Sequence, residues 1–257
     1  MKLVILAGGL GSRLSEETEN KPKPMVEIGG KPILWHIMKI YSYYGINDFI
    51  ICSGYKGHII KEYFNNYLLH SSDVSFSFKV KKTKVNDKII EPWNVRVVDT
   101  GQNTMTGGRI KRIKKYLDKN KSFCLTYGDG VADINILKLI NFHKKKQKLA
   151  TITATKPQAR FGAIAFGKNN KVNNFEEKPK GEGSWINGGF FVLKPEVINK
   201  IKNDGTSWEK DTLPILAKKG ELFAYKHDGF WMPMDTLRDK ISLNDLWNSN
   251  KASWKKW

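Results

Sequence analysis

The stretch KLVILAGGLGSRL, residues 2–14, joins an apolar run to three glycines and an arginine. Six residues of strand-like character that stop at a glycine loop predict a first β-strand with a backbone turn at its carboxyl end. The next segments extend the pattern. KPILWHIMKIYSYY reads as a helix with Pro32 in its first turn, and NDFIICS as a second strand, so the chain opens as a βαβ unit. Further on, HIIKEYFNNYLL and RIKRIKKYL have helical periodicity. EPWNVRVVDTG and KSFCLTYGDG read as strands that end in loops, and a helix is expected over 133–147. Strands are expected near 150–155, 162–166 and 172–176, and a last helix from about Thr236. Strands alternating with helices predict an α/β chain with one mostly parallel, doubly wound, Rossmann-like sheet flanked by helices. A protruding hairpin or loop is expected within 72–98. With no repeat, linker or composition break, residues 1–257 are expected to form a single domain. Ligands of such sheets sit at the carboxyl ends of the strands.

Composition narrows the function. The formal charge is +19, but six of the 44 basic residues are arginine and the lysines are dispersed. That pattern fits a solvated surface better than a nucleic-acid stripe, so no nucleic-acid partner is expected. No apolar run reaches the length of a membrane span, and the first residues do not read as a signal peptide; a cytoplasmic, soluble protein with no membrane partner is expected. Cys52 and Cys124 lie in apolar runs without metal-ligand spacing and read as buried free thiols.

The glycine loop presents backbone N–H groups to an anion. A P-loop needs GxxxxGK[ST], which is absent. A dinucleotide fingerprint needs GxGxxG, but Leu14 stands at the third glycine position and FIICSG ends without an acidic residue. Gly8, Gly9 and Gly11 followed by Arg13 and Lys23 suit a triphosphate; a tight turn beside surface cations remains the alternative on these residues alone. Asp129 in TYGDG follows a buried strand and suits a Mg2+ ligand. Asp235 in WMPMDT fits either a second metal ligand or a helix N-cap, while Asp133 reads as a cap. No nucleophile triad stands out, and the five histidines share no metal spacing.

Taken together, LAGGLGSRL, KPKPMVEIGGKPILWH, TYGDG, FEEKP, INGGFFVL and MPMDT resemble the signature segments of the sugar-1-phosphate nucleotidyltransferases over essentially the whole chain. The resemblance implies that Leu6, Ala7, Gly8, Gly9, Leu10, Gly11, Ser12 and Arg13 hold a nucleoside triphosphate, with Lys23 and Gly128 beside it. It implies catalytic roles for Arg13, Lys23, Asp129 and Asp235, with Mg2+ shared by the two aspartates. Lys178 is implied to grip the sugar phosphate, with Glu177, Asn187 and Gly188 near the sugar hydroxyls; RFGAI and Trp231 are further candidates there. EPWNVRVVDTG, MTGGRIKR, TYGDGVAD and GFWMPMDTLRDK look most like the members that join CTP to glucose 1-phosphate. Asp99, Thr100, Thr104 and Arg109 then fall near the base and phosphates. The family commonly forms homo-oligomers, and one is expected here.

Overall fold

The computed structural model describes residues 1–85, 91–156, 163–166, 171–176 and 185–257. The opening apolar run forms β1 (Lys2–Ala7), and six further strands join it: β2 (Asp48–Ser53), β3 (Asn94–Asp99), β4 (Phe123–Tyr127), β5 (Ala150–Thr155), β6 (Ile186–Leu193) and β7 (Leu222–His227). Their order is β7-β5-β6-β4-β1-β2-β3. All ladders are parallel except the two flanking β6, which runs antiparallel to both β4 and β5. β1 is central, and its alternation divides the core: Leu3, Ile5 and Ala7 face one apolar layer, Val4 and Leu6 the other. Residues buried on both faces read as a continuous apolar run, which is why KLVILA shows no polar alternation.

On one face α1 (Ile33–Tyr43), α4 (Ile136–Lys146) and α6 (Leu237–Asn248) cover the sheet. On the other lie α3 (Thr106–Arg112), the turn Pro195–Lys200 and α5 (Leu213–Lys218); α2 (Gly57–Asn65) follows β2. Helices on both sides of a mostly parallel sheet make the fold doubly wound. Each fully buried Leu or Ile of β1 contributes roughly 1.5–3 kcal/mol relative to exposure. A small antiparallel hairpin, Val74–Ser77 with Lys82–Val85, carries exposed Phe76 and Phe78.

Two local readings change. The cap of α4 is Asn135, whose side chain accepts from the Lys138 N–H; Asp133 instead faces His227 Nε2 at 3.1 Å. Asp235 is not the cap of α6 either: Thr236 and Asp239 form a reciprocal capping box, which leaves the Asp235 carboxylate for other partners.

The carboxyl-terminal residues dock on α1. Trp247, Trp254 and Trp257 surround the His36 ring, with Trp254 fully buried. His36 Nε2 lies 2.8 Å from the Ile28 carbonyl, and the Trp254 indole N–H points at Nδ1 over 3.4 Å. Nε2 therefore carries the proton and the ring is neutral. Burial pushes its pKa down to about 4. A depressed histidine pKa means that the unfolded chain takes up the proton first. Stability should be full above about pH 6.5 and decline as pH falls toward 4, with His36 alone costing about 2 kcal/mol at pH 5. Proton NMR of the ring should show no titration of His36 down to pH 5, and urea unfolding should show the loss; a ring titrating near 6.5 would refute the neutral assignment.

Candidate active site

β1 delivers its glycine loop to the open edge formed by the ends of β2, β3 and β4. Gly11 adopts φ +68°, a left-handed conformation that favours glycine, and caps the short turn Ser12–Leu14. The loop is tied below by Arg109 from α3. Its guanidinium donates to the carbonyls of Gly8 (3.0 Å), Ser53 (3.2 Å), Gly101 (2.7 Å) and Gln102 (3.2 Å), and to Thr100 Oγ1 (2.8 Å). Burial lowers its pKa from the ordinary arginine value. A Cβ on Gly8 would fall 2.1 Å from this guanidinium, so that glycine is required for the contact. Gly9 and Leu10 are exposed above it, and nothing lies within 4 Å of where a Gly9 Cβ would stand. The Gly128 N–H donates to the Leu6 carbonyl at 3.0 Å, fixing the GDG turn beside the loop.

That turn starts a short ladder. Gly130–Ala132 pairs antiparallel with Trp231–Pro233, and the Met234 N–H donates to the Asp129 carbonyl at 2.8 Å. The ladder brings Asp129 and Asp235 together. One oxygen of each accepts from Lys23 Nζ, at 2.7 and 2.5 Å, and the other Asp235 oxygen accepts from Arg13 Nη1 at 2.7 Å. The Lys23 side chain is 9% exposed, the Arg13 side chain 72%. Two cations thus balance two carboxylates beside the glycine loop. The donor set fits Mg2+: two carboxylate oxygens already converge on one cationic centre, and magnesium uses one or two carboxylates with water and phosphate oxygens. Among the described residues there is no cluster of three or more His, Cys, Asp and Glu side chains for a metal that needs a full protein cage.

Asn187 and Gly188, expected near the sugar hydroxyls, lie on β6. Asn187 Nδ2 donates to Tyr127 Oη at 3.1 Å, and its Oδ1 accepts from the Gly189 N–H at 2.8 Å. The Gly188 carbonyl accepts from the Trp231 indole N–H at 2.7 Å. Lys178 and Glu177 lie outside the described residues, as does most of RFGAI. Of the residues expected near the base, Thr100 is fully buried, its hydroxyl donating to the Ser53 carbonyl at 2.6 Å. Thr104 is buried, and Asp99 is exposed with its carboxylate accepting from the Gly101 N–H.

Sequence reasoning missed Glu209, whose carboxylate accepts from Tyr127 Oη at 2.7 Å, Thr106 Oγ1 at 2.6 Å and Ser207 Oγ at 3.0 Å. The only signal was SWEKDTLP, a polar stretch before a short helix. Its turn, Trp208–Thr212, is π-helical, a geometry with no sequence signature of its own.

A glycine loop at the first strand end, a cation pair beside it and two converging aspartates are the architecture of an enzyme that handles a polyphosphate. The nucleotidyl transferase family description matches residues 2–249, and the chain belongs to that family. It is 61% identical over 257 residues, spanning all of both chains, to glucose-1-phosphate cytidylyltransferase of Salmonella typhimurium. It is also 32% identical to mannose-1-phosphate guanyltransferase of Saccharomyces cerevisiae, covering 98% of this chain and 66% of that one. Among solved structures, HddC from Yersinia pseudotuberculosis superposes with a TM-score of 0.69 at 25% identity, over 96% of this chain and 99% of that one. Among the described residues no helix is long and apolar enough to cross a membrane.

Proposed function

We propose that the chain transfers the cytidylyl group of CTP to glucose 1-phosphate, forming CDP-glucose and releasing pyrophosphate. Full-length identity of 61% to a glucose-1-phosphate cytidylyltransferase supports the choice of substrates. What carries the chemistry is the convergence of Arg13, Lys23, Asp129 and Asp235 beside the glycine loop. A phosphate oxygen of the sugar phosphate attacks the α-phosphorus of CTP in line. The new P–O bond forms as the α–β bridge breaks, and the electron pair leaves on pyrophosphate. The nucleophile is already ionised at neutral pH, so no general base is needed.

The protein's work is to hold two polyanions together and offset their charge. Backbone N–H groups of residues 8–12 meet the phosphates. Exposed Arg13 needs only to leave one carboxylate oxygen to reach them, and Lys23 turns from the aspartates to the triphosphate. That exchange frees Asp129 and Asp235 to hold Mg2+, which when bound would supply charge neutralisation on the phosphate oxygens. Arg109 and Thr104 support the base and phosphate side; Asn187 and Gly188 meet the sugar. The test is pyrophosphate release from CTP plus glucose 1-phosphate, with the nucleotide sugar identified by mass. No release with any nucleoside triphosphate would refute the reading.

Lys178 and Glu177 complete the proposed sugar-phosphate site. Lys178→Ala should raise KM for glucose 1-phosphate by about tenfold or more, as expected for a lost hydrogen bond to a charged group, with KM for CTP within about twofold. Equal losses for both substrates would remove Lys178 from the sugar side.

A further inference from the structure

The Asn187 amide is held at both ends, and the hold leads back to Glu209. A carboxylate can only accept hydrogen bonds, so the Tyr127 proton is committed to Glu209 Oε1 at 2.7 Å. The tyrosine oxygen is thereby left as an acceptor, and Asn187 Nδ2 donates to it at 3.1 Å. The Gly189 N–H requires an oxygen opposite it and finds Asn187 Oδ1 at 2.8 Å. The amide can satisfy both contacts in one orientation only. Among the described residues, that orientation leaves one Nδ2 hydrogen and one Oδ1 lone pair for a ligand.

The relay is well anchored. Thr106 Oγ1 and Ser207 Oγ occupy Glu209 Oε2 at 2.6 and 3.0 Å, and Thr106 Oγ1 also accepts from the Trp208 N–H at 2.9 Å. Gly189, at φ +80°, lets the Tyr127 ring lie close; a Cβ there would stand 2.7 Å from Tyr127 Cδ2. Burial, reinforced by the Glu209 charge, pushes the Tyr127 pKa up, so its hydroxyl remains a donor across the working pH range.

We infer that Glu209 is a positioning residue for sugar recognition, acting through the Tyr127 hydroxyl to set which way the Asn187 amide presents its donor and acceptor to a sugar hydroxyl. The inference rests on the proposed reading of Asn187 as a sugar contact. It assigns part of the discrimination between hydroxyl epimers to a carboxylate that touches no substrate, because without the relay the Gly189 N–H holds the amide at its oxygen end only, and an amide held at one end presents its donor less sharply.

The test compares Tyr127→Phe, Glu209→Ala, Glu209→Gln and Asn187→Ala in the full-length enzyme, with thermal unfolding to establish folding. Tyr127→Phe keeps the ring and removes only the relay, so it decides the matter if Glu209→Ala fails to fold. For Tyr127→Phe and Glu209→Ala, KM for glucose 1-phosphate should rise roughly three- to tenfold, as for one lost neutral hydrogen bond, while kcat and KM for CTP stay within about twofold. The preference for glucose 1-phosphate over its 4-epimer, galactose 1-phosphate, should narrow in parallel. Glu209→Gln, which keeps an acceptor for Tyr127, should restore most of both. Native sugar KM and epimer preference in Tyr127→Phe, alongside a large loss in Asn187→Ala, would overturn the relay and leave the sugar contact intact. No change in Asn187→Ala would refute the sugar contact and the relay with it.

Discussion

Asparagine in place of Asp129 or Asp235 is expected to cut turnover by about 10^2-fold or more while leaving the protein folded. The substitution preserves shape, and the Met234 N–H to Asp129 C=O bond that joins the two loops is made by backbone, so the ladder between Gly130–Ala132 and Trp231–Pro233 should survive. What disappears is one of two negative charges proposed to hold the metal. Loss of one strong electrostatic contributor to a charged transition state has costs of this order. In the free protein Lys23 would retain one carboxylate, so the stability cost should be small; a loss of about 1 kcal/mol lowers Tm by roughly 2–4 °C in a chain of this size. The variants should also need more Mg2+ for half-maximal rate, and chelation should abolish wild-type turnover. Full activity after thorough chelation, or in both asparagine variants, would dismiss the metal assignment.

How this site assembles explains why only part of it was readable. β1 and its glycine loop were legible because an uninterrupted apolar run ending in glycines has few structural solutions. Lys23, Asp129 and Asp235 could be named from local motifs, but not their meeting, since the three-residue strands that bring the aspartates together are too short to carry a periodicity. The direction of β6 was equally hidden. INGGFFVL is apolar on both faces whichever way it runs, and its antiparallel setting depends on connections elsewhere. The tryptophan box around His36 joins residues more than two hundred positions apart. Glu209 escaped for a further reason: the role inferred for it depends on hydroxyls about eighty and a hundred positions away, Tyr127 and Thr106, as well as on neighbouring Ser207, and none of these marks the glutamate in sequence.

CTP should be preferred over UTP, by roughly tenfold to a few hundredfold in kcat/KM, and the preference should trace to residues 99–104 rather than to the glycine loop. Cytosine offers an amino donor where uracil offers a carbonyl, so a selective site needs an acceptor that faces the wrong group when UTP binds. Such a mismatch costs on the order of 1–3 kcal/mol. Several acceptors at and around residues 99–104 are already engaged: the carbonyls of Gly101 and Gln102 receive Arg109, and the Ser53 carbonyl receives the Thr100 hydroxyl. The exposed side chains of Asp99, Gln102 and Asn103 remain at the rim. Alanine at each should reveal the reader by a fall in the CTP to UTP ratio. Gly9 supplies the opposite control. Its φ is not in the left-handed range and a Cβ there meets nothing within 4 Å, so Gly9→Ala should fold normally. If the loop approaches phosphates, that methyl group must weaken CTP and UTP alike and leave their ratio unchanged. Equal wild-type rates with CTP and UTP would refute the choice of base while sparing the reaction class. A ratio that shifts in Gly9→Ala but in no variant of residues 99–104 would move base recognition to the glycine loop.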